Sequence, residues 1–262
     1  MTLAGKDCRK SFSGKGVGTP ERRATAGEGA MERRARQMSE SIELGVLLAL
    51  AGGFMDAYSY MARDQVFANA QTGNMLLFGV HLSEGDLALA FRYFLPVVAF
   101  AFGIMLADFL RSRVAVHLHW RQASIAVEAI ILAGVSFIPI APDADVAANV
   151  LISFACGMQV ESFRKIHGMG IATTMCIGNL RSAMESIDGY LERHERGLLQ
   201  NAALYGGTIG CFVVGAVIGN RFVDMFGQYA LLACSALLLV AFAVMFVDRE
   251  HSTGGAPVGT DE

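Results

Sequence analysis

The sequence predicts an all-α polytopic membrane protein, and three observations lead to this fold class. Of its 262 residues, 53% are hydrophobic and only 17% are charged, whereas soluble domains carry about 25% charged residues. Six stretches meet or approach the roughly 20 apolar residues that a helix needs to cross a bilayer. Two shorter and more polar segments lie at corresponding places between them, which indicates a chain built from two related halves.

The six predicted spans are mainly apolar and are joined by short polar connections. They are Ile42–Met61, Phe91–Leu110, Ser124–Ile140, Val146–Phe163, Leu199–Asn220 and Tyr229–Val247. Together they predict a membrane domain over residues 41–248, with a first repeat at 42–140 and a second at 146–247. Residues 1–40 are rich in Gly, Ser, Arg and Glu, so they predict a disordered tail. Residues 249–262 predict a second tail.

The two halves align over their polar region when the chain is shifted by 105 residues. No gap is needed over this stretch, and an acid falls at the same position in both halves. The matched positions are Ala51-Gly52 with Cys156-Gly157, Asp56 with Glu161, Tyr58 with Phe163, and Gly73-Asn74 with Gly178-Asn179. The alignment therefore predicts an internal repeat.

The two shorter segments, Val66–Leu82 and Ile171–Ile187, each open with small and polar residues and reach a Gly-Asn pair. An extended stretch followed by a short helix is the structure that this pattern predicts. We expect Thr72 to cap the first short helix, and Asn74 and Asn179 to satisfy backbone groups at the breaks.

The charges of the loops indicate whether these segments cross the membrane. If both are re-entrant, the basic loop Arg111–Arg121 lies in the cytoplasm and Pro142–Asp145 outside, as the positive-inside rule prefers. Each half then has three spans and one broken segment, so the second half is inverted, and both termini are cytoplasmic. Inverted repeats with broken helices recur in transporters. Eight full spans remain the alternative.

Ionisable and polar residues at membrane depth are the candidates for a substrate or ion pathway, because such groups are costly there without a function. Irregular backbone at that depth also requires burial or a water-filled cavity. The candidates are Asp56, Asn69, Gln71, Thr72, Gly73, Asn74, Gln159, Glu161, Thr173, Thr174, Gly178 and Asn179. The alternative for the two acids is a structural role, paired with Arg63 or Arg164. Asp108 and Glu128 are predicted to be interfacial.

Small residues recur every four positions at Ala99, Gly103 and Ala107, and in two glycine pairs, Gly206 with Gly210 and Gly215 with Gly219. Such ridges let helices approach closely. Internal packing is the expected use, with homo-oligomerisation as the alternative.

Several classes of function are not indicated. The net charge of −3 provides no basic footprint for nucleic acid. The sequence contains no HExxH, GxSxG or CxxC motif, so we predict no catalytic residue, metal or cofactor. The five cysteines are scattered and fit no disulfide framework.

Four strings, GGFMDAYSY, VFANAQTGNMLLFG, ACGMQVESFRKIHG and ATTMCIGNLRS, resemble the hallmark segments of the YoaK family. This resemblance spans most of the predicted membrane region. It implies an integral protein of the bacterial inner membrane, in a group defined by a domain of unknown function and labelled predicted permeases. We therefore expect a small-solute permease or secondary transporter, with protons as a candidate coupling ion. A non-transporting scaffold is the alternative, and a membrane enzyme ranks third.

Overall fold

The computed structural model describes residues 42–113, 117–164 and 170–253, without the side chains of 117–119 and 246–253. Every regular element in these ranges is helical. In chain order the helices are α1 (Ile42–Ala62), α2 (Gln71–Glu84), α3 (Leu87–Arg113), α4 (His117–Val135), α5 (Pro142–Ser162), α6 (Cys176–Arg193), α7 (Arg196–Phe226) and α8 (Leu231–Thr253), with a 3₁₀ turn at Gly227–Ala230. The predicted N-terminal tail lies outside the described residues. Helix α8 continues past the predicted end of the membrane domain.

The all-α membrane fold is confirmed. Helices α1 and α3, and the stretch Arg196–Met245 that holds α7 and most of α8, are long and apolar enough to cross a membrane. The helices begin and end beyond several of the predicted apolar spans. In particular, α4 begins at His117, seven residues before the predicted span at Ser124, and this changes the depth of the residues that follow.

The long helices run through the bundle in both directions, as their ion pairs show. We call the end where α1 begins the proximal end and the end where α1 stops the distal end. Arg92 near the start of α3 lies 2.7 Å from Asp64, just after α1, so α3 begins at the distal end. Arg111 near the end of α3 lies 3.0 Å from Glu161, so α5 ends at the proximal end.

Helices α1 and α7 run parallel and touch through their backbones. Gly53 lies against the carbonyl oxygen of Phe212, and Gly215 lies against that of Leu50. A Cβ at either glycine would overlap the facing backbone, so only glycine permits this approach. We call this contact the α1/α7 seam.

Helices α3 and α5 form a second parallel pair, the α3/α5 seam. Gly103 lies against the carbonyl oxygen of Phe154, and Gly157 against that of Phe100. Ala99, Gly103 and Ala107 are buried here, so the predicted internal packing of this ridge is confirmed. Gly215 and Gly219 pack inside the α1/α7 seam, whereas Gly206 and Gly210 face open space.

Helices α4 and α8 complete the core between the seams. They pack on each other, while α4 also packs on α5 and α8 on α1. Ser235 Oγ of α8 donates to the carbonyl oxygen of Ala129 in α4 at 2.7 Å. Residues of α1, α4, α5 and α8 share one buried apolar cluster.

Candidate functional site

The first broken segment turns back into the bundle directly after α1. Asp64 and Gln65 make the turn with positive φ angles of 59° and 57°. The chain then runs back along α1, where the Asn69 N–H donates to Asp56 Oδ1 at 2.6 Å. Asn69 Nδ2 also donates to the carbonyl oxygen of Gly52 at 3.2 Å. Because Gly52 is midway along α1, residue 69 has reached the middle of the bundle.

Helix α2 starts at that depth and returns to the distal end. Phe78 faces Phe94 at a ring distance of 5.0 Å, and His81 stacks on Tyr93 at 5.5 Å. A left-handed residue, Gly85, then joins α2 to the distal start of α3. With 14 residues, α2 is about 21 Å long. It is a half-helix, and these contacts favour the re-entrant topology.

The second broken segment reaches the same point from the opposite end. Helix α5 ends at the proximal side, and the chain returns so that the methyl group of Thr174 lies against Gly52 of α1. Helix α6 then runs back proximally and forms a hairpin with α7, where Gly189 faces Leu198. The two half-helix tips, Asn69–Gln71 and Thr173–Cys176, therefore lie at the same level of α1.

The two breaks are held by the same hydrogen bond in both halves. Asn74 Nδ2 donates to the carbonyl oxygen of Phe67 at 2.7 Å, and Asn74 Oδ1 accepts from the Phe67 N–H at 3.0 Å. In the second half, Asn179 Nδ2 donates to the carbonyl oxygen of Ala172 at 2.7 Å. Each asparagine binds the residue seven positions earlier. The prediction that these asparagines satisfy backbone groups at the breaks is confirmed.

Other details of the breaks differ from the prediction. The prediction that Thr72 caps the first short helix is wrong, because Ala70 occupies the N-cap position and makes no side-chain hydrogen bond there. Asn74 fixes the turn from inside the helix instead. Gly73 packs against the ring of Phe67, while Gly178 faces open space. Close approach therefore requires a glycine in the first half only.

Both tips carry buried polar atoms that lack a partner among the described residues. They are Asn69 Oδ1 and Thr174 Oγ1, which the 105-residue shift superimposes. Gln71 Nε2 donates to the carbonyl oxygen of Ala68 at 2.7 Å. Thr173 is buried, as is Thr174. At the first tip the Gln71 and Gly73 N–H groups already donate to the carbonyl oxygens of Asn69 and Ala70 at 2.8 and 2.9 Å. The Thr174 hydroxyl can donate and accept, and Asn69 Oδ1 can accept. The tips thus offer donors and acceptors together.

Asp56 is buried on α1 and accepts a hydrogen bond from the first tip. Its alternative role as a partner of Arg63 is wrong, because the Arg63 guanidinium lies 2.7 Å from Asp145 of α5. The carboxylate of Asp56 is therefore directed at the start of α2. An acid at that place also complements the positive end of a helix dipole.

Glu161 lies at the proximal end of α5, one residue before the helix stops. It pairs with Arg111 at 3.0 Å and with Arg164 at 3.3 Å. The alternative of a structural acid paired with Arg164 fits this geometry. The two matched acids thus occupy different environments, although both are largely buried.

Arg63 forms the centre of a buried network at the distal end. Its side chain donates to Asp145 at 2.7 Å and to the Tyr58 hydroxyl at 2.9 and 3.1 Å. It also donates to the carbonyl oxygens of Ile138 at 2.7 Å and Pro139 at 3.0 Å. The network joins α1 to the α4–α5 connection and to α5. We call it the Arg63 network.

Comparison with known proteins decides the family. The family described as "Protein of unknown function (DUF1275)" matches residues 44–244. The chain belongs to the DUF1275 family. It is also 28% identical over 183 residues to the UPF0700 transmembrane protein YoaK of Bacillus subtilis (strain 168), covering 66% of this chain and 79% of that protein. No solved structure matches significantly.

One buried acid of this DUF1275 protein was placed wrongly by the sequence prediction. Asp108 lies near the end of α3 and pairs with Arg111 at the surface, as expected of an interfacial residue. Glu128 instead lies in the middle of α4 with no exposed surface. Neither of its carboxylate oxygens has a hydrogen-bond partner among the described residues. The apolar stretch in the sequence begins at Ser124 and therefore places Glu128 near the end of a span. Helix α4 begins seven residues earlier, at His117, because its first turns are polar.

Proposed function

We propose that this protein is a permease for a small polar solute in the bacterial inner membrane, with its transport site between the two half-helix tips. The observation that carries the proposal is the pair of unpartnered atoms, Asn69 Oδ1 and Thr174 Oγ1, buried at mid-depth beside Gly52. Leaving a buried polar group without a partner costs about 1–3 kcal/mol. A solute that hydrogen-bonds to both tips removes this cost while it is bound.

The chemistry of the tips favours an uncharged solute with both donors and acceptors. The starts of α2 and α6 point their positive dipole ends toward the centre. Facing positive ends of half-helices disfavour the passage of cations. At the first tip, Asp56 offsets part of this positive potential. The side-chain oxygens of Asn69 and Thr174 supply acceptors.

An inverted repeat supplies the symmetry that alternating access needs. The helix contacts support such a repeat, because exchanging the halves maps the most extensive contacts onto one another or onto themselves. The α1/α7 pair corresponds to α3/α5, α2/α3 to α6/α7, and α1/α8 to α4/α5, while α4/α8 maps onto itself. We include in the proposal a rocking of one half against the other around the fixed tips.

The charges support a cytoplasmic proximal end, and with it cytoplasmic termini. Arg111, Arg113 and Arg164 lie at the proximal end, whereas Asp143 and Asp145 begin α5 at the distal end. Basic residues are retained on the cytoplasmic side. The lipid bilayer and an uncharged solute are the proposed partners, and protons are the proposed coupling ion.

Thr174→Val is the substitution that tests this function most sharply. Valine keeps the shape of threonine and removes only the hydroxyl group, which has no partner among the described residues. We therefore expect an unchanged or slightly higher melting temperature, because an unsatisfied buried polar group is lost. Solute entry into proteoliposomes, followed by light scattering across a panel of small amides, polyols and ureas, should fall at least tenfold.

Thr208→Val provides the matched control. The Thr208 hydroxyl already has a partner, because it donates to the carbonyl oxygen of Leu204 within α7 at 2.9 Å. This variant should transport as the wild type does. Equal flux through wild type and Thr174→Val, for a solute that the wild type moves, would contradict a site at the tips. An absence of protein-dependent flux for the whole panel would favour the scaffold alternative.

A further inference from the structure

Glu128 is a carboxyl group enclosed in the core of the bundle. It has no exposed surface and shares the buried face of α4 with Ile125, Ala129 and Leu132. Both carboxylate oxygens lack a hydrogen-bond partner among the described residues. An ionised carboxylate is extremely costly in such surroundings unless it is paired. The side chain must therefore hold a cation.

The groups facing Glu128 do not supply one. Helix α5 contributes the thiol of Cys156 and helix α8 the thiol of Cys234, which belong to the same buried cluster as Ile125, Ala129 and Leu132 of α4. Asp56 is the buried acid of α1, and the Asn69 N–H donates to it. Among the described residues, no ion pair joins a Lys, Arg or His side chain to Glu128. Its two oxygens also accept no hydrogen bond there.

The identity of the cation follows from the surroundings. Metal ions such as Na⁺, Mg²⁺ or Ca²⁺ require several oxygen ligands at close range. The described residues contain no group of three or more His, Cys, Asp or Glu side chains that could hold a metal ion. A proton needs only the carboxylate itself.

A line of buried polar side chains leads from Glu128 toward the proximal end. Helices α4 and α5 pack antiparallel, and Ser124 and Ser162 share a hydrogen bond of 2.8 Å between them. One turn closer to the centre on each helix are Glu128 and Gln159. Gln159 is fully buried, and both of its amide atoms lack partners among the described residues. We call Ser124, Ser162 and Gln159 the polar ladder.

A cavity opens beside the proximal end of this ladder. Its volume is about 230 Å³, and Trp120, Ser124 and Met158 are among its lining residues. Its lining is mostly apolar, and Ser124 contributes a hydroxyl group to it. From Ser124 the polar ladder places hydroxyl and amide groups in the direction of the carboxyl group.

We propose that Glu128 is a proton-binding site of the bundle core, loaded from the proximal end through the polar ladder. The site uses none of the tip residues and needs no solute, so it does not rest on the proposed permease function. If that function holds, Glu128 is the group that links solute movement to protons. Glu161 does not fill this role, because two guanidinium groups already engage its charge.

Infrared spectroscopy of the full chain in detergent at pH 7 tests the site directly. The carbonyl stretch of a protonated carboxyl group is separate from the bands of carboxylates and amides. We expect one such band in the wild type and its loss in Glu128→Gln, with an unchanged melting temperature because glutamine is also neutral. If Glu128→Gln does not fold, Glu128→Asp replaces it and should shift the band. A spectrum that neither substitution changes would overturn the proposal.

The ladder is tested by the rate at which this band shifts after transfer into ²H₂O. Gln159→Leu removes two amide atoms that have no partner, so the fold should be retained while deuterium exchange slows at least tenfold. Gln200→Leu, at an exposed position of α7, is the control and should exchange like the wild type. Exchange in Gln159→Leu at the wild-type rate would contradict the proximal route.

Discussion

Asp145→Asn is expected to lower the free energy of unfolding by about 3–5 kcal/mol, the usual cost of leaving a buried charge unpaired. Arg63 has no exposed surface, and Asp145 is its only carboxylate partner in the described residues. A loss of this size is a large part of the typical stability of about 5–15 kcal/mol. Purified Asp145→Asn should melt at a much lower temperature in detergent, or fail to accumulate in the membrane.

The pair between Arg181 and Glu185 supplies the control. It has the same chemistry, at 2.8 Å, but its side chains are 80% and 61% exposed, and exposed pairs contribute between about 0 and 1 kcal/mol. Glu185→Gln should therefore melt close to the wild type. If Asp145→Asn and Glu185→Gln melt alike, the Arg63 network does not hold the distal end.

Alanine in place of a seam glycine is the second change with a large expected effect. A Cβ at Gly103 or Gly215 would overlap the carbonyl oxygen of the facing helix. Backbone cannot rotate aside as a side chain does, so the two helices must separate. Overpacking of this kind costs about 1–3 kcal/mol or more. Gly103→Ala tests the α3/α5 seam and Gly215→Ala the α1/α7 seam, each by melting temperature.

Gly134→Ala and Gly206→Ala are matched controls within α4 and α7. Neither glycine has any atom close to where a Cβ would stand. Because alanine favours a helix by up to about 1 kcal/mol over glycine, these variants should melt at or slightly above the wild-type temperature. Seam variants as stable as these controls would mean that the helices do not touch through their backbones.

Local patterns predicted the parts of this fold that depend on neighbouring residues. Apolar runs located the long helices, and the Gly-Asn pairs located both breaks. Asn74 and Asn179 were expected to bind backbone groups nearby, and each bonds a residue seven positions earlier. Loop charges favoured the re-entrant topology because they report on the sides of the membrane, which helix length alone does not.

Contacts between distant residues could not be predicted in the same way. The alternative for Asp56 paired it with Arg63, about two turns away, yet Arg63 pairs with Asp145, 82 residues further along. No pattern in a single sequence connects these positions. Glu128 was misplaced because its depth depends on where α4 begins, and the polar residues before Ser124 hid that start. The burial of Glu128 could therefore be recognised only once the first residue of α4 was known.

The most direct test of the account is the side of the membrane from which Asp86 can be labelled. Half-helices that enter from opposite faces place Asp86, between α2 and α3, on the same face as Tyr229 and opposite to Glu195. Each position is changed to cysteine in a cysteine-free background and exposed to a membrane-impermeant maleimide in intact spheroplasts. We predict labelling at 86 and 229 without permeabilisation, and at 195 only after it. If residue 86 is instead labelled from the same side as residue 195, and residue 229 from the other side, the chain has eight full spans. In that case the two half-helix tips do not meet inside the bundle.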